Sequence, residues 1–145
     1  MKIQEILSIY QFIIFFLKLA LYFLFMQTEK SKLKRITLEG INYNLGYKVV
    51  TMNMESLGLR KNPNIIQFKV GEWTDLSPDK IVRGRGDYGG IWLAISSSAG
   101  NRLRMYMLDH YSKETRMFEA IVRDVLFYNS YRMKTSGLKI LEEIN

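Results

Sequence analysis

The chain contains no cysteine. That excludes disulfides, thiolate zinc sites, iron–sulfur clusters and cysteine nucleophiles together, while leaving the compartment open. There is one histidine, His110, beside Asp109. A metal site or hydrolytic triad needs more convergent ligands, or a nucleophile with an oriented base, so the pair reads as structural. Only two prolines occur, and no long polar tract, which argues against extensive disorder. No G-x-S-x-G elbow surrounds Ser96, Ser97 and Ser98, which read as a strand end before a turn. Glu72, Asp75 and Asp79 lack the spacing of a D-x-D-x-D-G calcium loop and read as a solvated turn. Neither an internal repeat nor a low-complexity tract is present. These absences point to a non-enzymatic protein with no catalytic, cofactor-binding or metal-binding residues to name.

What is present starts with a length of 145 residues, enough for one domain plus an appendage. Hydrophobic residues make up 48 %, so a core can form, and the formal charge is +7. A basic balance favours polyanionic partners such as nucleic acid or anionic headgroups. Residues 1–26 hold only Lys2, Lys18 and Glu5 as charges, so the basicity belongs to the rest of the chain.

Residues 6–26 read ILSIYQFIIFFLKLALYFLFM, interrupted only by Ser8, Gln11 and Lys18. The run matches the roughly 20 residues that cross a bilayer core as a helix. Lys18 costs about 2.5–3.5 kcal/mol inside a span, which the surrounding Phe, Leu and Ile can offset. The run exceeds a signal-peptide h-region, and no small-x-small cleavage site follows. Lys30, Lys32, Lys34 and Arg35 flank its carboxyl end, against Lys2 and Glu5 before it. The positive-inside rule then places the following domain in the cytoplasm, with those four cations at the anionic membrane surface. A rival reading starts the protein at Met26, because residues 1–25 lack Gly, Pro, Arg, Asp and Asn and resemble translated AT-rich DNA. The protein would then be soluble and cytoplasmic.

Further on, alternation predicts strands over 34–39, 45–54, 57–60, 65–73 and 80–85. In IIQFKVGEW, Ile66, Phe68 and Val70 point one way. GIWLAISSS at 90–98 predicts a more central strand, AGN at 99–101 a hairpin turn, and RLRMYMLDHY a further strand. Ser112 can then cap a helix over SKETRMFEAIVRDVLFYN, whose Met117, Phe118, Ile121, Val122, Val125 and Tyr128 fall at helical spacing. Glu119 and Arg123 would form an i,i+4 pair on its wet side. The tail reads as a strand and a short helical turn.

The expected class is therefore α+β, with about seven short, mostly antiparallel strands, one carboxyl-terminal amphipathic helix and one preceding hydrophobic helix. Together with the strand-Trp-turn-strand stretch FKVGEWTDLSPDKIV, this plan resembles a bacterial pleckstrin-homology-like domain over about residues 33–129. The resemblance implies a curled sheet or barrel capped by the last helix, and binding or scaffolding rather than catalysis. The basic strand-1/strand-2 loop that serves phosphoinositides in some relatives has no counterpart in INYNLGY. The expected organisation is a transmembrane or misread segment at 1–27, a basic linker at 28–35, the domain at 36–130 and a tail at 131–145.

Arg83, Arg85, Arg102 and Arg104 fall on predicted neighbouring strands and would form a cationic patch if their faces agree. RGRGDYGG at 83–90 offers several motifs. A phosphate loop should open a helix, yet a strand is expected next. A lone RGD needs an extracellular tip, and RGG contacts come as repeats. A hairpin turn around Gly86-Asp87 remains. The sequence supports a binding module at the cytoplasmic membrane face, contacting a protein partner or anionic headgroups, with no small-molecule substrate evident. The alternative is a soluble nucleic-acid-binding domain.

Overall fold

The computed structural model describes residues 2–30, 33–59 and 65–145, and for 25–30 the backbone alone. The chain divides after residue 32 into two units. The first is a helix, α1 (Ile3–Lys30). Its stretch Ile3–Leu24 is long and apolar enough to cross a membrane, spanning about 33 Å at the helical rise. No residue of its membrane-length window is buried, and Phe12, Phe15 and Leu21 are all largely exposed.

The second unit is α+β: among the described residues, one α-helix and an antiparallel sheet of eight strands. The first hairpin joins β1 (Lys34–Leu38) to β2 (Ile41–Thr51) through Glu39-Gly40, both at positive φ, as a tight two-residue turn requires. β3 (Trp73–Asp75) is a short edge strand. After β4 (Ile91–Ala94) comes α2 (Ser97–Tyr111). The chain then finishes with β5 (Thr115–Val122), β6 (Val125–Tyr128), β7 (Arg132–Thr135) and β8 (Gly137–Ile144).

The last four strands are one long hairpin bent in the middle. Arg123 N–H donates to the Gly137 carbonyl and Ser136 N–H to the Asp124 carbonyl, carrying the ladder across the bend. Its two halves have different outer neighbours. β5 pairs with β2, β2 with β4, and β4 with β7, which runs on into β8 and back beside β5. The pairings therefore curl the sheet round toward itself into a barrel-like shape, with β3 and β6 left as its edges. Val50, Phe68, Leu93, Phe118, Met133 and Ile140 fill the inside. Tyr47, Val49, Ala94 and Met117 point the other way and are covered by Ala99 and Leu103 of α2.

Several expectations are corrected. The helix lies mid-chain, over Ser97–Tyr111, and the segment expected as the carboxyl-terminal helix is β5 and β6. A central strand buried on both faces explains the error. Met117 packs under α2 while Phe118, Ala120 and Val122 face the barrel interior, so the apolar positions mimic a helical stripe. Ser112, expected as an N-cap, is the left-handed C-cap of α2, and Ser96 is the actual N-cap, its hydroxyl accepting from Ala99 N–H at 3.1 Å. The AGN "turn" sits inside the helix. A Cβ on Gly100 would overlap Met117 Sδ, so this glycine serves close helix–sheet approach and not a turn.

The Glu119–Arg123 helix pair does not exist. Arg123 instead pairs with Asp75 at 3.2 Å and stacks 3.6 Å above the Trp73 ring. The strand expected over 65–73 reduces to one isolated bridge, Glu55 with Gln67. Phe68 is buried there, but Val70 is exposed. No strand forms over 57–59 or 80–85. A short 3-10 turn at Pro78–Lys80 precedes an irregular loop, and the tail is all strand. Arg60 and the KNPN turn lie outside the described residues.

Candidate functional site

The loop 81–90 carries RGRGDYGG and is held from below by side chains of the barrel. Val82 N–H donates to the Gly89 carbonyl at 2.8 Å. Positive φ occurs at Gly84 and Gly89, not at Gly86, so the expected hairpin at Gly86-Asp87 is replaced by a wider loop. Lys134, on β7, lies fully out of solvent. Its ammonium donates to the carbonyls of Gly86 (3.0 Å) and Tyr88 (3.1 Å). Trp92 Nε1–H donates to the intervening Asp87 carbonyl at 3.0 Å. Arg132 stacks 3.9 Å over the Trp92 ring and pairs with the Asp87 carboxylate at 3.6 Å. Three consecutive carbonyls are thus fixed by two neighbouring strands. Burial pushes the Lys134 pKa down, partly opposed by Asp87.

That pinned loop forms one wall of a cleft of about 530 Å³. The opposite walls come from α2 (Leu103, Arg102) and from Leu57, Ile65 and Ile66 of the β2–β3 connection, over a floor of β4. Its size falls in the usual range for small-molecule sites, which are mostly apolar with a few polar groups. Among the described residues, four charged side chains line it: Lys48, Asp87, Arg102 and Arg132. Arg132 and Asp87 neutralise each other.

Lys48 is the unusual member. It lies mid-strand in β2, within a run of six buried residues, 45–50. The alternation of β2 turns Lys48 to the same side as Val50, toward the barrel interior, while Tyr47 and Val49 face α2. Its ammonium donates to the Trp92 carbonyl at 2.8 Å and lies 5.3 Å from the Phe68 ring centroid. Among the described residues no carboxylate pairs with it. Glu119 is opposite Tyr47 on the other face. Burial alone lowers the Lys48 pKa from 10.5 to about 8, because low dielectric disfavours the charged form.

The residues singled out from the sequence are scattered. Arg83 and Arg85 are exposed in the loop, and Arg102 and Arg104 lie on α2, so no arginine row crosses neighbouring strands. Two residues apart on a helix, Arg102 and Arg104 point to different sides. Arg102 lines the cleft, whereas Arg104 donates to the Thr115 carbonyl at 3.0 Å. Lys34 and Arg35 begin β1. The Lys30 side chain and Lys32 lie outside the described residues. His110 stacks on Tyr106, with ring centroids 4.1 Å apart, on the exposed part of α2. Among the described residues no three His, Asp or Glu converge as metal ligands.

Sequence reasoning missed Lys48, Lys134 and Trp92 as site residues. For Lys48 a signal was available: a lone charge in LGYKVV, with apolar residues on both sides, in a predicted strand. No family model, curated protein or solved structure matches the chain.

Proposed function

We propose that the protein is a membrane-tethered, non-enzymatic binding module whose barrel domain takes a small apolar ligand in the cleft beside β4. In this reading α1 crosses the bilayer, and Lys30, Lys32, Lys34 and Arg35 lie at its cytoplasmic surface. The cleft carries the proposal, since apolar walls from three separate segments enclose ligand-sized space beside a fixed loop. The pleckstrin-homology-like likeness is compatible with a curled sheet used for binding, but the proposal does not depend on it. The alternative, a soluble nucleic-acid-binding domain starting at Met26, rests on the net charge of +7; the dispersal of Arg83, Arg85, Arg102 and Arg104 takes away a sheet patch that would have served nucleic acid and headgroups alike.

Two outcomes follow. In native membranes the chain should stay in the pellet through high-salt and alkaline washes, and protease should reach the domain only from the cytoplasmic side. Release by salt would end the tether, because screening does not extract a spanning helix.

For the cleft, the full chain in phosphatidylcholine nanodiscs should bind 1-octanol above the uptake of empty nanodiscs. Leu57→Arg, at the wall, should weaken this by about tenfold or more with an unchanged circular-dichroism spectrum. Octanol uptake equal to that of empty discs would remove the ligand reading.

A further inference from the structure

We infer that the ligand is an acyl-chain monocarboxylate, seated with its carboxylate against the Lys48 ammonium and its chain along Leu57, Ile66, Leu93 and Leu103. The inference rests on the cleft being a ligand site and adds the chemical class of what fills it.

Among the described residues the Lys48 ammonium uses only part of its donor set. An ammonium has three N–H donors. One reaches the Trp92 carbonyl, and among the described residues no other protein acceptor is bonded to the rest. Lys48 is only 8 % exposed and lines the cleft, so a partner for those donors would enter through it. Buried charges are ordinarily paired, because a desolvated ion without a counter-ion is costly. A carboxylate supplies one negative charge and two acceptor oxygens, matching one cation and two spare donors.

Among the described residues, the other charged and titratable groups at the cleft are Asp87 and Tyr88 from the loop, Arg102 from α2, Tyr131 from the β6–β7 turn and Arg132 from β7. Asp87 is engaged with Arg132. The surroundings therefore leave a net positive site, with Lys48 the deeply buried cation and Arg102 an exposed one. The apolar walls exclude a small hydrophilic anion as the best fit, since most of the lining has nothing polar to offer it. An amphiphile with a single anionic head satisfies both features. Deprotonation of Lys48 near pH 8 would remove the attraction, so binding of the acid should weaken in alkali.

The test compares three heads on one chain length. Octanoate, 1-octanol and octyl phosphate are titrated against the full chain in phosphatidylcholine nanodiscs, with empty nanodiscs in parallel. At pH 7 octanoate should bind about tenfold or more tighter than octanol. That ratio should fall toward one above about pH 9, and in Lys48→Met and Lys48→Gln at any pH. Octanol binding with no octanoate preference overturns this inference and leaves the cleft reading standing. Octyl phosphate binding tighter than octanoate also overturns it, in favour of a phosphate head. If no chain binds, the cleft reading itself fails. The wild-type comparison needs no variant, so misfolding of a substituted chain cannot hide the answer.

Discussion

Lys48→Met is expected to raise the stability of the unliganded domain by about 2 kcal/mol at pH 7. The lysine is charged in both folded and unfolded chains at that pH, since its folded pKa is about 8 and its ordinary value is 10.5. The folded state therefore bears the full cost of burying the ammonium, on the order of 3 kcal/mol for a shift of this size. Losing the hydrogen bond to the Trp92 carbonyl returns about 1 kcal/mol of that. Methionine matches the stem in length and suits an apolar site.

The sign with pH follows from proton binding. Between about pH 8 and 10.5 the unfolded chain holds a proton at Lys48 that the folded chain has lost. This group's contribution to wild-type stability rises across that window, and the advantage of the variant shrinks. Thermal melts of the full chain followed by tryptophan fluorescence should show the gap at pH 7 and its narrowing by pH 10. Both tryptophans, Trp73 and Trp92, report on the barrel. A variant no more stable than wild type at pH 7 would mean that the ammonium is solvated, and would remove the basis for an anionic ligand. A stabilising mutation that lowers binding is the trade-off expected where a costly residue is kept for function.

The second large effect lies at Gly100. In an exposed helix interior, replacing glycine by a residue with a side chain gains up to about 1 kcal/mol. Here the sign reverses. Gly100 is buried in α2, and any Cβ overlaps Met117 Sδ, itself 1 % exposed between helix and sheet. Gly100→Val should cost about 3 kcal/mol, at the upper end for overpacking a filled contact. Adding Met117→Ala clears the space that valine needs, so the double variant should be more stable than Gly100→Val alone. The two changes then couple by about 1–3 kcal/mol. Simple additivity in urea melts would show that α2 does not close on β5 at this point. Because α2 supplies Leu103 and Arg102 to the cleft, Gly100→Val should also weaken octanol binding.

How much was legible in the sequence differs from element to element. β1 and β2 are local: alternation in KRITLE and the β-rich LGYKVV run place them within a few residues of where they form. β5 was not legible, because Met117, Phe118, Ile121 and Val122 satisfy helical spacing as well as a strand covered on both faces. α2 was hidden for the opposite reason. Its Gly100 looked like turn punctuation, and its Leu103, Met105 and Met107 happened to alternate, although Met105 is exposed and Met107 buried. Among site residues, Arg102 was found for the wrong surface, while nothing in YRMKTSG singled out Lys134, whose burial depends on loop 81–90 folding over it.

By itself, then, the sequence determined the apolar, membrane-length α1, the exclusion of thiol chemistry, the basic balance and the first two strands, although residues 41–44, read as loop, belong to β2. Each depends on composition or on neighbours a few residues apart. Tertiary structure alone decided which segment became the helix, the curling of the sheet through the bent final hairpin, and the burial of Lys48. Those depend on contacts such as Lys48 with Trp92, 44 residues apart. A strand's second face and a charge's dielectric surroundings are set by whatever distant chain packs against them.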